Sequence, residues 1–141
     1  MALRERGEPD PLALVEQLVW RIVEASDAWP WLPPLWVREV ISQGGALREK
    51  LIQRVDLGKP ERIKAGIAAA QKAGRVNAGI NPQLTFMSII TLTMLPLSMA
   101  KDWDRIPLIG RVSKQELGRH VVALLQHGLA AAPAKTQGRK A

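Results

Sequence analysis

"AWPWLPPLWVREV", Ala28 to Val40, gathers three of the chain's five tryptophans and three of its ten prolines. Proline fixes φ and removes an amide donor, so it marks helix entries and interrupts helix interiors. Tryptophan is among the largest side chains a core can bury. Setting the two side by side keeps Trp29, Trp31 and Trp36 from lying along one regular stripe. They are expected to point in different directions, some of them inward. Pro30, Pro33 and Pro34 fix the entry to a short helix carrying Leu35 to Ser42, which Gly44-Gly45 then breaks.

On either side of this stretch the pattern is helical throughout. Alternation is never sustained, and β-branched residues fall inside helical periods. Asp10-Pro11 opens a first helix as N-cap and first helical residue. Leu12, Val15, Val19 and Ile22 mark its apolar face, Leu14 and Leu18 widen it, and it should end near Ser26-Asp27. Ala46 to Val55 forms a third piece. Lys59-Pro60-Glu61 opens a fourth helix with Ile63, Ile67 and Ala70 inward, closed at Ala73-Gly74 by a left-handed glycine. Asn81-Pro82 opens a fifth that runs to about Lys101 and should kink at Pro96. "SKQE", Ser113 to Glu116, is a capping box for the last. Leu117, Val121, Leu124 and Gly128 form one stripe on it, and Val122, Leu125 and Leu129 a second. Two apolar stripes are more than one core needs, so one is expected to meet another subunit. The reading is one all-α domain of five to six helices, its last two long and strongly apolar.

Composition limits what such a domain can do. With 47% hydrophobic and 23% charged residues over 141 positions, the chain is globular and long enough for a real core. It has no cysteine, which excludes disulfides and thiolate metal sites and fits the cytoplasm. No secretory leader opens it. Pro82 to Ala100 carries no charge, but Gln83, Thr85, Ser88, Thr91, Thr93, Pro96 and Ser98 interrupt it, so it reads as a buried helix and not a membrane span. The net charge is +7, with Lys135, Arg139 and Lys140 in a tail, 133–141, that reads as solvated and disordered. The remaining excess is spread along the chain, as on an ordinary solvated surface.

Catalytic and metal chemistry find little support. His120 and His127 stand seven residues apart on the last helix. That is two turns, about 10 Å along the axis, whereas helical metal pairs lie three or four residues apart. Ordinary surface or interface histidines are expected. No serine sits in a nucleophile elbow, and "SQGGA" lacks the lysine and spacing of a phosphate loop. Asp102 and Asp104 flank Trp103 and should cap the end of the fifth helix or its turn. Glu39 falls near the apolar face of its helix, where an ion pair with Arg38 competes with a ligand-orienting role. No catalytic residue, metal or cofactor is assigned. A DNA-binding module finds little support as well: no helix-turn-helix pair carries a basic recognition helix, and the tryptophans are not interleaved with cations. A basic domain that binds DNA directly is the third and weakest reading, with steep salt dependence as its signature.

The order of features is familiar all the same. "AWPWLPPLWVREVISQGGALREKLIQRV" resembles the second helix and following turn of the ligand-binding domain in TetR-type transcriptional regulators. "IKAGIAAAQKAGRVNAGINPQLTFMSIITLTMLPLSMAKDW" looks like their helix, Ala-Gly-Arg turn, Asn-Pro and long apolar helix. "SKQELGRHVVALLQHGLAA" is similar to their final helix. The resemblance covers residues 11–132, with 1–10 looking like the end of the connecting helix. The family's amino-terminal helix-turn-helix half has no counterpart in this sequence.

This resemblance implies a homodimer through the last two long helices, packed as a four-helix bundle with the partner's pair. Leu95, Leu117, Val121, Leu124, Leu125 and Gly128 are the interface candidates. It also implies a pocket for an apolar or amphipathic small-molecule effector, with Trp20, Trp36, Glu39, Phe86, Met87, Thr91 and Met94 as lining candidates. In the family, ligand commonly releases a repressor from DNA, which is contacted only through the helix-turn-helix half. The alternative reading is a helical homodimeric interaction module without a small-molecule ligand, whose exposed tryptophans dock a protein partner. A cavity beside Trp36 and Phe86 favours sensing, and an exposed apolar patch at Trp29 and Trp31 favours docking.

Overall fold

The computed structural model describes residues 10–42, 46–54 and 60–131. The helix break expected at Gly44-Gly45, Lys59 of the expected fourth-helix opening, the segment 1–9 and the basic tail lie outside them. Six α-helices occur among the described residues: α1 (Pro11–Ala28), α2 (Leu32–Trp36), α3 (Arg48–Arg54), α4 (Pro60–Lys72), α5 (Pro82–Ser98) and α6 (Lys114–Leu129). A π-helical segment, Val37–Ser42, extends α2, and a 3-10 turn, Ala100–Arg105, follows α5. These residues form no strand, only one isolated bridge between Val76 and Ala130. The all-α expectation is met.

The helix starts follow from local chemistry. Asp10 accepts the Leu12 amide at 3.1 Å, and Pro11 follows at a position whose amide would have had no partner. Asn81 does the same for Gln83 at 2.9 Å. Ser113 Oγ accepts from the Glu116 amide at 3.0 Å while Glu116 Oε1 accepts from the Ser113 amide, closing the capping box. Gly74 takes φ 74° just after α4, as a left-handed helix end requires.

Two boundaries differ from the sequence expectation. The short helix begins at Leu32, before Pro33-Pro34, because a first turn has no use for proline's missing amide protons. The fifth helix stops at Ser98 and not near Lys101. Its final carbonyls need partners, and the indole Nε1 of Trp103 donates to Pro96 O at 2.9 Å. Trp103 is thereby folded back as a buried plug under the 3-10 turn. Asp102, expected to cap this region, pairs instead with Arg105 at 3.8 Å.

α5 is the centre of the molecule and packs against α1, α2, α4 and α6. Its inward residues include Ile89, Ile90, Met94 and Leu97. The hydroxyls buried with them are satisfied within the helix: Thr85 Oγ1 donates to Asn81 O at 3.0 Å and Thr93 Oγ1 to Ile89 O at 2.7 Å. A helix that meets its polar needs internally can bury a wide face without charged partners. The expectation of a wholly buried helix is corrected, because Leu84, Met87, Thr91 and Leu95 are exposed. Among the described residues no helix is long and apolar enough to cross a membrane.

α1 covers this core with Val15, Leu18, Val19, Ile22 and Val23, each worth about 1.5–3 kcal/mol of burial. It is fastened to α6 at both ends. Lys114 Nζ reaches Asp27 Oδ1 at 3.0 Å and Ser26 O at 3.2 Å, and Gln126 Nε2 donates to Glu16 Oε2 at 3.2 Å. Asn77 closes the far end of α6, its backbone amide donating to Leu129 O at 2.8 Å and its side chain to Gly128 O at 3.1 Å.

Candidate functional site

A half-open cavity of about 510 Å³ lies between the Trp36 turn, α3 and α5. Small-molecule sites usually span roughly 300–1,000 Å³. α5 supplies Phe86, Met87, Ile90 and Thr91, which form one strip because Phe86 and Ile90, and Met87 and Thr91, lie four residues apart and Met87 and Ile90 three. Opposite them stand Trp36 and Val40, and Ile41 of the π-helical segment extends that wall. π-helical turns are rare and recur at functional sites. α3 closes the third side with Arg48 and Ile52, again one helical turn apart.

The wall is apolar with few polar atoms. Thr91 Oγ1 donates to Met87 O at 2.8 Å, so its hydrogen is spent within α5. Arg48 Nη2 donates to Val40 O at 2.9 Å, which ties α3 to the π-helical segment. The indole Nε1 of Trp36 is buried and has no acceptor. A buried donor left without a partner costs about 1–3 kcal/mol. α3 itself has no buried residue, so this wall is held by few contacts.

Of the seven residues expected to line a pocket, four meet here: Trp36, Phe86, Met87 and Thr91. The other three lie elsewhere. Met94 is fully buried, one turn beyond Ile90 on the same strip of α5, where the cavity has given way to solid core. Trp20 faces α6 and covers Gly118. Glu39 is turned toward Arg38, with Oε1 3.5 Å from Nε, and is not part of the cavity wall. Arg48, Ile52, Val40, Ile41 and Ile90 went unnamed in the sequence reading. The spacing of Arg48 and Ile52 on one face of their helix is the signal that marks two of them.

Trp29 and Trp31 have a different setting. They are 50% and 56% exposed and border a shallower cleft of about 540 Å³ with Leu47, Leu51, Lys50 and Arg54. The fold therefore holds both a cavity beside Trp36 and Phe86 and an exposed aromatic patch.

The expected dimer face divides along α6. Leu124 is 51% exposed, Gly128 is exposed, and Leu117 and Leu125 are half-buried. Val121 corrects the expectation: it is 1% exposed, packed into the chain's own core, and has no surface to offer a partner. On α5, Leu84 and Leu95 are exposed on one face, with the exposed Ser88 and Thr91 between them. His120 and His127 are exposed on α6, and no group of three potential metal ligands gathers among the described residues. No protein-family model matches the chain, and no curated protein does either.

Proposed function

We propose that this chain is the effector-sensing and dimerisation domain of a TetR-type transcriptional regulator working in the cytoplasm. One observation carries the reading: the apolar cavity of about 510 Å³ walled by Trp36 and Phe86. An apolar or amphipathic small molecule enters between α3 and α5. Its binding shifts α5, which also packs against α6, and so changes how two copies sit against each other. In the intact regulator this alters the spacing of the DNA-binding heads and releases the operator. DNA contact belongs to the helix-turn-helix half, and no residue of this chain is assigned to it. The chemistry is binding and not catalysis.

The exposed Leu84 and Leu95 of α5 and Leu124 of α6 support the dimeric part, because exposed leucines on two helices in contact suit a four-helix seam. A second reading, a helical module that docks a protein partner, draws on the half-exposed Trp29 and Trp31.

The test is intrinsic tryptophan fluorescence during titration with apolar and amphipathic small molecules, on protein whose oligomeric state is first fixed by sedimentation. A dimer with a saturable, competitive change is the expected result. A flat response across a broad library overturns the sensor reading in favour of docking, and a monomer overturns the dimeric part of both readings.

A further inference from the structure

The charge on the cavity wall narrows the ligand class. Among the described residues that line it, Arg48 is the one charged side chain, and no carboxylate stands with it. Its guanidinium is held at the wall by the bond to Val40 O, which uses one of five N–H donors. The Nε1–H of Trp36 is buried behind the wall and presents no donor to the cavity. The other polar side chain of the wall, Thr91, has already spent its hydrogen on Met87 O. A cation balanced by no acid favours an anion, and a planar guanidinium matches a carboxylate better than any other common anion except phosphate. The rest of the wall is aliphatic and aromatic, which excludes a ligand charged along its length.

We infer that the cavity takes an amphipathic monocarboxylate, its head group at Arg48 and its apolar body against Trp36, Phe86 and Ile90. This inference rests on the sensor reading of the same cavity. The net charge of +7 assists by drawing anions toward the chain. Binding also ties α3, the least buried wall, to a ligand that leans on α5. The head group thus closes the cavity over the apolar body.

The experiment is calorimetric titration of the full chain with matched pairs, each an arylalkyl carboxylic acid and its primary amide, such as 4-phenylbutyrate with 4-phenylbutyramide and 2-naphthoate with 2-naphthamide. The acids are expected to bind at least tenfold more tightly than the amides. Arg48→Gln should abolish that preference, and Arg48→Lys should restore part of it. Because Arg48 also ties α3 to Val40 O, the readout is the acid-to-amide ratio within each variant and not its absolute affinity, and the exposed position leaves the helical core untouched. Acids and amides binding equally, or an acid preference that survives Arg48→Gln, overturns the inference and leaves the cavity a ligand site. Failure of every acid and amide to bind overturns the inference alone, and the sensor reading falls only with a flat fluorescence response across the broad library.

Discussion

Gly118 of α6 lies directly beneath the indole of Trp20 on α1. A Cβ built on Gly118 would stand 2.5 Å from Cζ3 and 2.7 Å from Cη2 of that ring. Glycine inside a helix ordinarily costs about 1 kcal/mol against alanine. Here its lack of a side chain lets α1 and α6 approach with a tryptophan between them, and the two helices are then tied at each end by Lys114 and Gln126.

Gly118→Ala should therefore destabilise the protein by about 1–2 kcal/mol despite the gain in helix propensity, because the indole must move outward. Denaturation by urea reads this directly. In a Trp20→Leu background the same substitution should become neutral or stabilising by up to about 1 kcal/mol, since the flexible leucine can move aside. Equal effects in both backgrounds would mean that the ring does not rest on the glycine.

This contact also marks where the sequence stops being informative. Asp10-Pro11, Asn81-Pro82 and the Ser113–Glu116 box were legible because a cap is a contract between residues two or three apart. The inward faces of α1 and α4 were legible for the same reason, as periodicity is local. Trp20 stands outside the face that periodicity marks on α1, and no local pattern says which helix it meets; that neighbour is α6 instead of the cavity. Met94 and Ile90 illustrate the limit on α5. They lie one turn apart on one face, and only the position of α3 decides that the cavity ends between them. Trp103 was missed as a core residue because its burial depends on the chain doubling back after Pro96.

Trp36 calls for two variants with different expectations. The side chain is 4% exposed, so Trp36→Ala removes a large buried group and should cost about 3–5 kcal/mol. Loss of ligand in that variant would say little, since α2 itself would give way. Trp36→Phe keeps an aromatic ring and removes an N–H that has no acceptor. The lost area and the relieved donor oppose each other, and stability should stay within about 1 kcal/mol of the parent by thermal denaturation. A much larger loss would show that the indole nitrogen has a partner in the free protein.

The capping box gives a further check on α6. Ser113→Ala removes the hydroxyl that accepts from the Glu116 amide and should cost about 1 kcal/mol, a fall in Tm of about 4 °C for a chain of this size. Ser113→Asp should preserve most of the stability, because a carboxylate caps equally well and favours the positive end of the helix. Differential scanning calorimetry separates the two. An alanine variant that melts with the parent would place the start of α6 elsewhere.

Val121 and Leu124 face different surroundings although they lie three residues apart on α6. Val121 is sealed in the chain's own core, whereas Leu124 is half exposed beside Gly128. An arginine at the two positions should fail in different ways. Val121→Arg buries an unpaired charge within the fold and should leave the chain unfolded or aggregated, visible as loss of far-ultraviolet helical signal. Leu124→Arg leaves the single chain intact, since an arginine stem can lie along a half-exposed apolar surface with its head in water. In a dimer sealed through α5 and α6, however, the same arginine meets its counterpart at the seam, where like charges are desolvated together. Sedimentation of Leu124→Arg should then report a folded monomer at concentrations where the parent is a dimer. A folded Leu124→Arg with an unchanged sedimentation coefficient removes Leu124 from any subunit seam, and the apolar stripe on α6 would need another occupant.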